Sequence, residues 1–199
     1  MNNMNRRCGY ILTLNPNSER ALFSKNILEK IGFDVILIQA IPNDDKVISN
    51  KISMQYIYNL INNSENEYSY VFEDDINMLE EIKIDEIIEY EKFSEMFFYL
   101  GVCEYGNNKA KNTGIKIRNK DVYSKCGFCK GLHAIGLSKK GSIELLKFSK
   151  ESNERYMDVI VEKFSRLYPA IVCRYDLESY IQGHRGILFQ DRNLFPSMI

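Results

Sequence analysis

Apolar runs of strand length alternate with helix-length segments through the first hundred residues, and that alternation constrains the fold more than any other feature. Cys8 to Leu14 reads as a first strand. Asn15-Pro16-Asn17-Ser18 is a turn and cap, and Glu19 to Ile31 is a helix ended by Gly32. Phe33 to Gln39, Phe-Asp-Val-Ile-Leu-Ile-Gln, is almost continuously apolar, as in a buried parallel strand. Met54, Ile57, Tyr58 and Ile61 recur at helical spacing and mark a helix over 49–62. A strand through Phe72, a charged helix from Ile84 to Phe93 and a strand from Met96 to Val102 follow. This β-α-β-α-β order predicts an α/β fold, a mostly parallel sheet with helices on both faces.

The second half is less regular. Residues 104–130 are polar, rich in Asn, Gly and Lys, and read as a long flexible loop or a weak hairpin of the kind that supplies lids. Gly131 to Leu137 reads as a strand, with Ser138 capping a helix through Phe148. Tyr156, Val159, Ile160, Phe164 and Leu167 form an apolar helical stripe, and Pro169 to Arg174 is a short strand. From about residue 175 the tail is turn-rich and irregular. With 199 residues and no linker or internal repeat, residues 1–199 are expected to form a single domain.

The chemistry gathers where Tyr68-Ser69-Tyr70-Val71-Phe72 runs into Glu73-Asp74-Asp75. A core strand that delivers three carboxylates at its mouth sets like charges side by side, and solvent or a cation must relieve them. Hard divalent cations such as Mg²⁺ and Mn²⁺ take oxygen ligands and share them with substrate phosphates. The competing reading is a solvated acidic turn or a helix start.

Composition removes several classes. A net charge of −1 gives no basic surface for nucleic acid or an anionic membrane. No segment has the apolar length of a transmembrane helix, and Tyr10 to Leu14 lacks a signal-peptide cleavage pattern. Five cysteines without framework spacing favour a reducing, cytoplasmic setting. Walker-type, Gly-x-Gly-x-x-Gly and Gly-x-Ser-x-Gly motifs are absent. His133 and His184 are the only histidines, which excludes a histidine-rich site; His133 lies in an apolar strand and reads as a satisfied core residue. Cys126-Gly127-Phe128-Cys129 lacks both the thioredoxin context and a second pair of zinc ligands, although Cys8, Cys103 and Cys173 could come together in the fold.

Val71-Phe72-Glu73-Asp74-Asp75-Ile76 is similar to the Asp-x-Asp element of nucleotide-sugar glycosyltransferases with the GT-A fold. The chain more specifically resembles glycosyltransferase family 25, which includes lipooligosaccharide and collagen galactosyltransferases. Tyr10 to Asn15 with Ser18-Glu19-Arg20, Gly131 to Gly141, and Tyr156-Met157-Asp158-Val159 follow in the family's order, so the likeness spans roughly Tyr10 to Val172. The chain is short for the family, and its acidic motif is Glu-Asp-Asp.

The resemblance implies a GT-A-like, Rossmann-type sheet and a metal-dependent hexosyltransferase. Its donor would be a nucleotide-sugar, a UDP-sugar by expectation, and its acceptor a hydroxyl on a glycan, lipid-linked or protein substrate, with inversion. Asp75 would bind Mn²⁺ or Mg²⁺, Asp74 would support it, and Glu73 would lie near the ribose. Asp158 would be the general base, with Glu162 the competing carboxylate but facing solvent or a lysine. His184 would complete the metal shell and favour manganese. Arg20, Arg185 and Arg192 would meet the nucleotide phosphates, since guanidinium matches phosphate oxygens. Two other readings stand beside this one: a metal-dependent phosphohydrolase or phosphotransferase, and a non-catalytic nucleotide-sugar-binding protein of the same fold.

Overall fold

The computed structural model describes residues 7–104, 110–125, 129–177 and 183–196. Cys126, Gly127 and Phe128 of the Cys-x-x-Cys segment lie outside them.

Strand β1 (Arg7–Thr13) leads into helix α1 (Glu19–Ile31), whose first turn is capped by the Ser18 hydroxyl accepting from Ala21 N. Such a cap stabilises by about 1 kcal/mol. Gly32 closes the helix at φ 120°, a backbone setting that a side chain would strain. Strand β2 (Phe33–Gln39) then pairs parallel to β1. Helix α2 (Lys46–Asn63), capped by the Asp45 carboxylate, returns the chain to β3 (Tyr68–Glu73) on the other side of β1. Next come β4 (Ile76–Met78), α3 (Ile84–Glu91), β5 (Phe97–Glu104), β6 (Lys111–Ile117), β7 (Lys120–Lys125), β8 (Cys129–Ser138), α4 (Lys139–Glu151), α5 (Met157–Leu167) and β9 (Ala170–Val172). Two short strands, β10 (His184–Gly186) and β11 (Leu188–Gln190), follow.

Among the described residues the main sheet has nine strands, in the order β2-β1-β3-β8-β5-β9-β7-β6 with β10 added beside β5. The pairings set β1, β2, β3, β5, β9 and β6 in one direction and β8, β7 and β10 in the other, so the sheet is mostly parallel in orientation. Alternate residues of the central strands feed two cores. Tyr10, Leu12 and Val71 pack with α2, α4 and α5. Ile11, Tyr70 and Phe72 pack with α1 and α3 on the opposite face. The fold is therefore α/β with helices on both faces, in agreement with the alternation in the sequence.

Two segments differ from the sequence-based expectation, the run Phe33–Gln39 and the tail, and a third, within 104–130, takes the hairpin form of its two expected alternatives. The apolar run Phe33–Gln39 is parallel but lies at the sheet edge, so only Phe33 is buried and Ile36 is 45% exposed. Apolarity alone does not separate a central strand from an edge strand covered by one helix. Within 104–130, β6 and β7 form a hairpin that extends the main sheet through β9. The described part of the tail contributes β10 to the main sheet and pairs β11 antiparallel with β4.

Candidate functional site

The parallel register brings the carboxyl ends of β1, β2 and β3 to one rim, the place where open α/β sheets bind ligands. Leu12 pairs with Glu73, so Thr13 lies beside Asp74 and its hydroxyl donates to Asp74 Oδ2 at 2.5 Å. The α1 cap holds Arg20 over the same rim. Its Nη2 is 2.7 Å from Asp74 Oδ1 and 3.3 Å from Asp75 Oδ2. An internal guanidinium thus relieves the acidic repulsion that sequence reasoning left to solvent or a cation.

The tail straps this rim. Asp191 N donates to Asp75 O at 2.8 Å, and Gln190 Nε2 donates to Glu73 Oε2 at 2.6 Å. Arg192 Nη2 donates in turn to Gln190 Oε1 at 3.2 Å. Arg20 Nη1 donates to Pro196 O, and Phe23 of α1 meets Phe195 edge-on.

Burial sets the electrostatics. Desolvation first, then the charges of Asp75 and Asp74, push the Glu73 carboxyl up to about 8. Glu73 is therefore largely protonated near neutral pH, a second relief of the repulsion. Burial also raises Asp75, against the pull of Arg20. Asp75 is 4% exposed, and its Oδ1 is buried without a hydrogen-bond partner. A buried carboxylate oxygen with nothing to accept from suits a cation, so this residue fits the divalent ion that the resemblance implies.

A cavity of about 730 Å³ opens above these groups. Arg20, Glu73, Asp74, Asp75, Asp158 and Arg192 all line it. Leu12, Val47, Leu132 and Met157 give it apolar wall. Asp158 stands in the first turn of α5, one residue beyond Met157, and its charge reaches Glu73. Glu162 is buried and pairs with Arg166 at 2.6 Å, not with solvent or a lysine.

Two expected residues stand outside the cavity lining. Arg185 stacks its guanidinium 4.8 Å from the Tyr175 ring centre and donates to Tyr175 O. His184 is buried on β10, with Nε2 2.9 Å from Cys103 Sγ. Cys103, His133 and His184 are the one group among the described residues in which three or more metal-ligating atoms converge, all within 4.8 Å of one another. Asp75 is not part of that group.

His133 is a core residue, but not a satisfied one. Nε2 bonds Leu188 O at 3.3 Å while Nδ1 has no partner. Burial and the neighbouring His184 hold its pKa down to about 3, so it is neutral. Burial pushes the Cys103 thiol up to about 12, aided by Glu73. Gly101 makes the close packing possible, because a Cβ there would lie 1.9 Å from Leu188 O and 2.6 Å from His133 Nε2. Cys8, Cys103 and Cys173 are free thiols in separate surroundings, next to Tyr10, His184 and Tyr90 respectively. Thr13 and Gln190 are site residues that sequence reasoning missed; Thr13 was signalled only by its place at the end of a strand parallel to β3.

No protein-family model matches this chain, and no curated protein matches it. Among solved structures it is similar to A197 from STIV, with 12% identity, a TM-score of 0.46, and coverage of 83% of this chain and 80% of that one. It is also similar to the apo form of the glycosyltransferase GlyE of Streptococcus pneumoniae TIGR4, with 11% identity and a TM-score of 0.39. That match covers 83% of this chain and 44% of GlyE, so the chain spans less than half of GlyE's length. At these identities and scores neither likeness bears on activity. No helix among the described residues is long and apolar enough to cross a membrane.

Proposed function

We propose that this chain is a metal-dependent glycosyltransferase that binds a nucleotide-sugar, specifically a UDP-sugar, at the carboxyl rim of β1, β2 and β3. The hexose would pass to a hydroxyl of a glycan, lipid-linked or protein acceptor with inversion. The observation that carries this reading is one cavity of about 730 Å³ lined together by two arginines, the acidic triplet and Asp158. Its volume is in the range of small-molecule sites, and it joins apolar wall to a few convergent charges. Asp75, with its partnerless Oδ1, would hold Mn²⁺ or Mg²⁺, whose chemistry is to neutralise charge on the departing nucleoside diphosphate. Arg20 and Arg192 would take phosphate oxygens. Asp158 would orient and deprotonate the acceptor hydroxyl, a contribution of about 10²–10⁴-fold.

The test is thermal unfolding with UDP, GDP, ADP and CMP, each with and without Mn²⁺. Folded-state ligands raise apparent stability by mass action. A shift with UDP and Mn²⁺ together is expected, and Asp75→Asn should abolish it. Asp158→Asn should keep the shift and lose sugar transfer. No shift with any nucleotide would refute the reading.

One observation favours a second reading. Arg20 already pairs with Asp74 and Asp75, so the carboxylates have a cation without any metal. A non-catalytic nucleotide-sugar-binding protein would then show a shift with UDP that ignores Mn²⁺, and no turnover with any acceptor.

A further inference from the structure

We propose that Cys103, His133 and His184 form a buried transition-metal site for Zn²⁺, separate from the acidic triplet. The three residues come from adjacent strands of one sheet. His184 of β10 pairs directly with Cys103 of β5. Gly101 of β5 pairs with Ala134, the residue after His133 on β8. The β5–β8 register shifts on both sides of Gly101, and such irregularities re-aim side chains beside functional sites.

The donor atoms fit zinc. Bond lengths of about 2.0–2.3 Å at tetrahedral angles place donors about 3.3–3.6 Å apart. The observed separations, 2.9 Å for Cys103 Sγ to His184 Nε2 and within 4.8 Å for the whole set, bracket that spacing. All three residues are buried. One thiolate and two imidazoles form a borderline-soft set that suits Zn²⁺ over Mg²⁺ or Ca²⁺.

His133 supplies the second, independent observation. Its Nε2–H donates to Leu188 O, which leaves Nδ1 carrying a lone pair, fully buried and without a partner. A backbone carbonyl that fixes one ring nitrogen so the other can ligate is the usual support of a metal-bound histidine. Three protein ligands leave a fourth position, which falls to water or to Gln190 Oε1, 3.8 Å from Cys103 Sγ. Since Cys103 and Gln190 both line the cavity, the site would clamp the tail strands to β5 and β8 and hold Gln190 and Arg192 at the rim.

The experiment is made on the full chain without nucleotide, so it stands apart from the glycosyltransferase reading. The protein is exposed to Zn²⁺, dialysed against metal-free buffer, and its metal content measured. A Co²⁺-loaded sample is examined by absorption spectroscopy. About one equivalent of tightly held zinc is expected, together with a tetrahedral Co²⁺ spectrum carrying a thiolate-to-cobalt band. Asp75→Asn should retain both signals, and Cys103→Ser should lose the thiolate band. A chain that keeps no zinc, or a wild-type Co²⁺ spectrum without a thiolate band, would overturn the proposal whether or not the variants fold. Retention of the band in Cys103→Ser would trace the thiolate to another cysteine and overturn it equally.

Discussion

The raised Glu73 carboxyl makes stability depend on pH in a calculable way, and Glu73→Gln isolates it. In the folded chain this group titrates at about 8, against 4.5 for the ordinary side chain. Below about pH 4.5 the carboxyl is protonated in folded and unfolded chains alike, and its ionisation costs nothing. Between about 4.5 and about 8 the folded chain holds a proton that the unfolded chain releases, so stability falls as pH rises. Above about 8 both forms are ionised and the cost is constant. At about 1.4 kcal/mol per pH unit, the full difference is about 5 kcal/mol, and water in the cavity reduces it toward about 2–3 kcal/mol. Glutamine keeps an oxygen to accept from Gln190 Nε2 and has no proton to lose. Urea unfolding followed by circular dichroism, from about pH 5 to about pH 9, should show the two proteins nearly equal at the acid end. The variant should then gain steadily over the wild type up to about pH 8 and hold that lead beyond it. Asp74 and Asp75 share charge repulsion with Glu73, so the difference reports the acidic cluster as a unit, while titrating groups remote from the rim are common to both chains and cancel. Unfolding curves that stay parallel across the range would refute the reasoning.

Two further substitutions probe the rim and its support. Arg20→Gln strips Asp74 and Asp75 of their guanidinium, and breaking a buried pair from one side costs about 3–5 kcal/mol. Burial raises the Asp75 carboxyl, so that loss should shrink as pH falls and Asp75 takes up its proton; a loss that stays constant however far the pH is lowered in urea unfolding would contradict the electrostatic account. Gly101→Ala sets a methyl group 1.9 Å from Leu188 O, which the backbone can relieve only by parting β5 from β11. A loss of about 3 kcal/mol or more in denaturant midpoint is expected from such overpacking, and a change under about 0.5 kcal/mol would show that the strands do not approach as described.

The parts of the fold legible in the sequence were those with local causes. Ser18, the apolar stripe of α1 and Gly32 set that helix within its own residues, and its observed bounds are the expected ones. The triplet at the end of β3 was legible because alternation and then acidity sit in one short stretch. The tail was not, since strands of three residues are too short to show a period and form only through partners on β5 and β4. Nor was the neighbourhood of His184. Cys103, His133 and His184 are far apart in the chain and meet only after β8 and β10 both flank β5. The edge position of β2 is likewise set by the path of α2 over β1, which no feature of Phe33–Gln39 announces.

The double pairing of Arg20 leads to one more expectation under the proposed function. In the free protein Arg20 pairs with Asp74 and Asp75, the charge of Arg192 also acts on Asp75, and Glu73 keeps its proton, so two cations face the two aspartates of the rim. A nucleoside diphosphate brings new negative charge to that rim, and its oxygens compete with both carboxylates for the same guanidinium. Drawn toward phosphate, Arg20 would leave Asp75 with a charge and a buried Oδ1 that nothing satisfies. A divalent cation is then worth more to the protein with nucleotide present than without it. Linkage makes the coupling reciprocal: the factor by which UDP tightens Mn²⁺ must equal the factor by which Mn²⁺ tightens UDP, and about 5–150-fold is typical. Titration calorimetry of each ligand with and without the other measures both factors. In Arg20→Gln the carboxylates are bare from the start, so Mn²⁺ should bind more tightly alone and the coupling should fall. Equal Mn²⁺ affinity with and without UDP in the wild type would mean that Arg20 does not change partners, and the exchange at this rim would have to be abandoned.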